Sequence, residues 1–138
     1  MKANIAWQDG VSFLGQTESG HSVLMDGAPE AGGKNLGPRP MEMILMGLGG
    51  CTAFDVVLIL RKARQAISHC SIEIDAQRAD KDPKVFTRIH LHFIVTGQNL
   101  NPRQVERAIS LSAEKYCSAS LMLKATVAIT HDYEIIAE

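Results

Sequence analysis

Thiol chemistry is the chemistry this chain is best equipped for, and three residues could carry it: Cys51, Cys70 and Cys117. A cysteine attacks as its thiolate, so a reactive one needs a cation or a helix dipole to favour ionisation. Their odd number, wide spacing and lack of a C-x-x-C or zinc-ligand pattern point to free thiols in a reducing setting. Cys51 follows Gly47, Gly49 and Gly50 inside an apolar run, whereas Cys117 lies between polar Glu114-Lys115-Tyr116 and small Ser118-Ala119-Ser120. Cys70, beside His69 just ahead of a strand, reads as an inert small hydrophobe. Lys34 and Arg39 are the cations ahead of Cys51, and each is equally suited to being a solvated charge. Glu42 either complements a helix dipole in a first turn or orients one of these cations. Asp55, one turn beyond Cys51, shares its helix face and requires hydrogen-bond donors in so apolar a segment. His90 and His92 leave one strand face together, half of a metal site. No acidic or cysteine residue accompanies them at telling spacing, so a solvated face is expected and no metal. Gly47-Leu48-Gly49-Gly50 matches neither phosphate-binding glycine motif.

The element that must hold Cys51 begins at Pro40, a favoured first helical residue, with Glu42 in the first turn. From Met43 to Leu60 it is apolar on all sides, which predicts a central, buried helix. Glycine costs about 1 kcal/mol in a helix interior relative to alanine, so three of them predict a second backbone passing close beside Cys51. Arg61, Lys62 and Arg64 suit the helix C-terminus.

Ahead of this helix, residues 4–7, 11–17 and 21–25 read as three strands joined at Asp9-Gly10 and Ser19-Gly20. A Gly/Pro-rich loop over 26–38 follows, the only long one, and loops of that length tend to be functional. Behind the helix, 71–78 and 88–95 alternate with period two. Asn101-Pro102 opens a helix with Gln104 at its third position, and Val105, Ala108, Ile109, Ser112 and Tyr116 form its inward stripe. Ala125, Val127, Ile129, His131, Tyr133 and Ile135 share one face of a last strand. The order βββ-α-ββ-α-β, with strands grouped apart from helices, predicts an α+β fold with mostly antiparallel pairing in a single domain, 1–138.

A net charge of −1 with no basic block argues against nucleic acid as a partner. The Met43–Leu60 run reaches membrane-spanning length, but Asp55, Thr52 and three glycines favour a core helix over a membrane segment. No secretory signal is visible at Met1-Lys2-Ala3-Asn4-Ile5, so a cytoplasmic location is expected.

Pro40-Met41-Glu42 through Gly50-Cys51, then Ala113-Glu114-Lys115-Tyr116-Cys117-Ser118, then Val127-Ala128-Ile129-Thr130-His131 together resemble the OsmC/Ohr family of thiol-dependent peroxidases, in particular its YhfA-like branch. The resemblance runs over nearly the whole chain. It implies an OsmC-like, intertwined homodimer around a long central helix, with active sites at the subunit interface and the same helix of the other subunit as partner for the glycines. It also implies Cys51 as peroxidatic and Cys117 as resolving cysteine, a small organic hydroperoxide as substrate, an external dithiol as reductant, and no cofactor. Met43, Met46 and Phe54 would then line an apolar substrate pocket. Two positions depart from the family pattern. Met41 stands directly after the proline where peroxidase members carry glutamate, and Glu42 comes one residue later, about 100° round a helix. The first arginine is Arg39, after the N-terminal strands rather than within them, which makes Arg39 and Glu42 the nearest activating pair. The alternative reading is a non-catalytic dimer that binds a small apolar ligand or senses thiol stress.

Overall fold

A computed structural model describes residues 1–138, which divide into two compact units, Met1–Met46 and Gly47–Glu138. In the first, β1 (Ala3–Asp9), β2 (Ser12–Thr17) and β3 (Ser22–Asp26) form an antiparallel meander in that order. Both turns carry a glycine in the left-handed region, Gly10 at φ +55° and Gly20 at φ +90°, as the turn dipeptides predict. The long loop is tied down by the buried Asp26, whose carboxylate accepts the N–H groups of Lys34 (2.9 Å) and Leu36 (3.2 Å). These bonds, that of Lys34 foremost, hold the Asp26 carboxyl below the usual range despite its burial. At Gly37 a side chain would run into the Leu24 carbonyl, so the loop lies hard against β3.

In the second unit β4 (Ala66–Arg78) and β5 (Phe86–Gln98) pair antiparallel, and β6 (Ala128–Ala137) adds to β5 in parallel, leaving β5 in the centre. The alternation read from residues 88–95 is realised: Ile89, Leu91, Phe93 and Val95 are buried. β4 starts at Ala66 rather than 71, because a register shift between Ile67 and His69 lets its first residues continue the ladder. Helix α2 (Pro102–Leu111) is capped by Asn101, whose side chain accepts the Arg103 N–H at 3.0 Å. The reciprocal bond comes from Gln65, which accepts the Asn101 N–H at 2.8 Å, and not from Gln104 as a capping box would have it. Val105, Ala108, Ile109 and Ser112 are buried as expected, but Tyr116 is 50% exposed. The chain widens into a π-turn over Ser112–Tyr116, which rotates Tyr116 off the stripe before the short α3 (Ser118–Leu123) begins.

Helix α1 (Pro40–Lys62) corrects one expectation. It is not buried all round: Leu48, Thr52, Val56 and Leu60, four residues apart, form a single buried stripe. Ile44, Met46, Phe54 and Leu58 stand 41, 58, 64 and 38% exposed. An all-apolar helix announces only that its whole surface needs covering, and this chain supplies cover on one side. Within the chain no other element's backbone passes at the glycines. Gly47 and Gly50 face open space, and Gly49 yields to a side chain, since a Cβ there would meet Ile74 Cδ1 at 2.9 Å.

Candidate active site

The two cysteines far apart in sequence become neighbours in the second unit. Cys51, half-buried on α1, lies near enough to the fully buried Cys117 to push its thiol up, and both are free thiols. Cys117 is fixed by the break in the helix that carries it. Its N–H donates to Ser112 O at 2.9 Å, closing the π-turn, and its sulfur caps α3 by accepting the Ser120 N–H at 3.3 Å. Thr52 Oγ1 lies 3.3 Å from the same sulfur and 2.8 Å from Leu48 O. A hydroxyl has one proton, so while it donates to Leu48 O it can only accept from the Cys117 S–H. Once the sulfur is ionised, the hydroxyl can turn and donate to it instead. Burial is the largest influence and pushes the Cys117 thiol up; Thr52 and the Ser120 N–H pull it down, and Cys51 pushes it up again. Asp55, one turn past Cys51, finds its donor in the π-turn, accepting a hydrogen bond from Ser112 Oγ at 3.0 Å. Cys70 is half-buried on β4, and burial alone pushes its thiol up, in keeping with an inert role.

The remaining predicted residues each have their own surroundings. In the first unit Arg39, Glu42 and Met46 line a cavity of about 480 Å³ with Asn35, Leu36, Gly37 and Pro38. Glu42 engages Arg39 through the backbone, accepting its N–H at 2.8 Å as a helix cap. The Arg39 guanidinium donates to Asn35 Oδ1 (2.9 Å) and Gly37 O (3.3 Å), two neutral oxygens. Lys34 Nζ is 3.8 Å from the exposed Asp9 carboxylate. Met43 is half-buried and Phe54 is 64% exposed, so in a single chain Phe54 faces outward and encloses nothing.

Sequence reasoning missed the bonds that Thr52, Ser112 and Ser120 make to Cys117 and Asp55, since these buried residues are interleaved with apolar and small ones. It also missed the partners of the histidine pair. The parallel β6 sets Asp132 opposite His92, where Asp132 Oδ1 accepts from His90 Nε2 (3.0 Å) and His92 Nδ1 (2.7 Å), and Glu134 Oε1 stands 3.3 Å from His92 Nε2. The cluster is a solvated strand face, as expected, but one whose charges are paired. No group of three ligands in the chain is arranged to hold a metal ion.

Residues 32–132 match the OsmC-like protein family. Protein YhfA of Escherichia coli strain K12 is 51% identical over 137 residues, 99% of each chain. Among solved structures, a hypothetical protein of Aquifex aeolicus superposes with a TM-score of 0.87 at 28% identity, over 99% of this chain and 96% of that one. An organic hydroperoxide resistance protein OsmC of Legionella pneumophila superposes with a TM-score of 0.74 at 18% identity, over 96% and 95%, a likeness of fold.

Proposed function

This chain belongs to the OsmC-like protein family, and from that footing we propose that it is a cytoplasmic, homodimeric thiol peroxidase that reduces organic hydroperoxides through Cys51 and Cys117. The observation that carries the reading is the proximity of two free thiols 66 positions apart in sequence, one half-exposed and one buried. The Cys51 thiolate attacks the terminal peroxide oxygen; the O–O bond breaks, the alkoxide takes a proton and leaves as alcohol, and Cys51 becomes a sulfenic acid. Cys117 then attacks that sulfur and expels water, forming a disulfide. An external dithiol reduces it by exchange, so each turn consumes one hydroperoxide and one dithiol and yields alcohol, water and an oxidised dithiol. The half-buried Cys51 suits the attacking role. The buried, upward-shifted Cys117 suits a resolving thiol that stays protonated until a sulfenic acid is beside it.

Dimerisation is supported by the apolar surface left open, Phe54 and Leu58 on α1 among it. In a dimer Met43, Met46 and Phe54 would bound an apolar substrate pocket, and Arg39 and Glu42 would face a reaction centre. The alternative, a non-catalytic dimer that binds or senses, is favoured by Arg39 and Glu42, whose side chains are engaged in loop and cap bonds.

Exposure of the reduced protein to cumene hydroperoxide, with thiols counted, separates the two. Wild type should lose two thiols per chain, Cys51→Ser none, and Cys117→Ser one, trapped by dimedone as a sulfenic acid. Unchanged thiols in wild type, or loss at Cys70 alone, would remove the peroxidase reading and leave the binder.

A further inference from the structure

The two residues that bond the Cys117 sulfur, Thr52 and Ser120, also line a cavity of about 50 Å³ within the second unit. Its wall on α1 is Thr52 alone, which belongs to the buried stripe of that helix and not to its open side. Of the cavity's polar residues, Thr52 and Ser120 are buried at 1 and 3% exposure, whereas Lys124 and His131 are exposed. One small space is thus lined both by hydroxyl residues at the sulfur and by ionisable side chains at the surface.

Ser120 marks this space as wet. Its N–H is committed to the Cys117 sulfur, and its hydroxyl has no hydrogen-bond partner in the chain. No side-chain oxygen of the protein is at once sealed and unpartnered, so the little surface Ser120 keeps lies at that hydroxyl, on the cavity it lines. A buried hydroxyl without a bond is destabilising, and a water can supply the bond. Water needs roughly 10–15 Å³ of such space and two to four polar partners, both of which this cavity offers. His131 packs edge-on to Phe93, ring centroids 6.4 Å apart. It is the one residue this cavity shares with a wider one of about 260 Å³, which is lined also by the exposed Glu106 and Asp132. The imidazole therefore stands between an inner space lined by hydroxyl residues and an outer one lined by carboxylates.

We propose that the cavity holds water anchored by Ser120 and carries the Cys117 proton to His131, which hands it to the outer cavity and solvent. The proposal rests on the Cys51–Cys117 disulfide step of the peroxidase reading. As the Cys117 sulfur bonds to Cys51, its proton passes to Thr52 Oγ1, whose own proton turns from Leu48 O to the cavity water and on to the imidazole. The bond from the Cys51 sulfur to oxygen breaks, and the departing hydroxide takes a proton from solvent. When a dithiol cuts the disulfide, the same route returns a proton to Cys117. Lys124 cannot serve as the acceptor, because an ammonium group only donates, whereas an imidazole takes up and releases protons near neutrality. His131 touches neither sulfur, whose bonds go to Thr52 and Ser120; it is a positioning residue that acts through the relay.

Disulfide closure can be followed without any peroxide. In the full-length Cys70→Ser protein, dithiobis(nitrobenzoate) forms a mixed disulfide at Cys51 and releases one thionitrobenzoate; attack by Cys117 then expels a second, and stopped-flow absorbance reads its rate. His131→Ala, a surface change, should slow the second release at least about tenfold, general-base assistance commonly being worth more than that. Added imidazole should restore the rate, and sodium chloride at equal ionic strength should not. Ser120→Ala keeps the N–H that caps Cys117 and loses only the hydroxyl; it should slow closure at least about threefold with no rescue by imidazole. Unchanged rates in both variants, or a slow His131→Ala that imidazole fails to restore, overturn the relay. A Cys70→Ser parent that never releases the second thionitrobenzoate overturns the relay together with the disulfide step. If the parent closes its disulfide and imidazole rescues His131→Ala, yet cumene hydroperoxide consumes no thiols, the relay stands and the peroxidase reading falls.

Discussion

At the scale of single residues, the thiol pair depends on Thr52 more than on any charge in the second unit. Its hydroxyl is the side-chain group that opposes the effect of burial on Cys117. Thr52→Val removes that bond with little change of shape and should push the Cys117 thiol higher still. Disulfide closure after one equivalent of peroxide should slow by about three- to tenfold, since a lower thiolate fraction attacks in proportion. Stopped-flow following of the sulfenic-to-disulfide step reads this directly, and an unchanged rate would show that Thr52 is only a packing residue. None of this was legible in the sequence. A threonine next to a cysteine on a helix looks like any other small residue, and only the fold reveals that it faces Cys117. By contrast the settings of the two cysteines were legible, Cys51 on a glycine-containing helix and Cys117 at a helix end.

At the scale of elements, boundaries set by local chemistry could be read and those set by pairing could not. Asn101-Pro102 specified the start of α2, and Asn101→Ala should destabilise the protein by about 1 kcal/mol, measurable by urea unfolding. The reciprocal partner Gln65 lies 36 residues upstream and carries no local signal. The π-turn was equally invisible, because its cause is the tertiary placement of Ser112 and Cys117. The β5–β6 pairing has a pH dependence of its own. Hydrogen bonds to Asp132, then Glu134, raise His92 above its ordinary 6.5, and His92, then His90, lower Asp132 below its ordinary 3.8. A raised histidine stabilises fully below its unfolded pKa and loses that contribution as pH climbs through its folded value. A lowered carboxyl stabilises above its unfolded pKa and loses that contribution as pH falls through its folded value. The cluster therefore helps most between about pH 4 and 6.5 and fades on the alkaline side. Melting temperatures from pH 5 to 8 should decline more steeply in wild type than in His92→Gln, and parallel profiles would remove the claim.

At the scale of the whole molecule, the strand and helix order was readable because period-two and helical patterns are written along the chain. How much of α1 this chain covers is a matter of assembly, and one sequence does not state it. The four apolar side chains left open on α1 belong to a surface that water penalises. Phe54→Glu should shift sedimentation from twice the 15.0 kDa chain mass towards that mass itself. A protomer already sedimenting at 15.0 kDa in wild type would remove the dimer. The uncovered side of α1 carries one more consequence. Where a second copy completes the fold, mass action enters stability: the melting temperature should climb with protein concentration, and dilution alone should act as a mild denaturant.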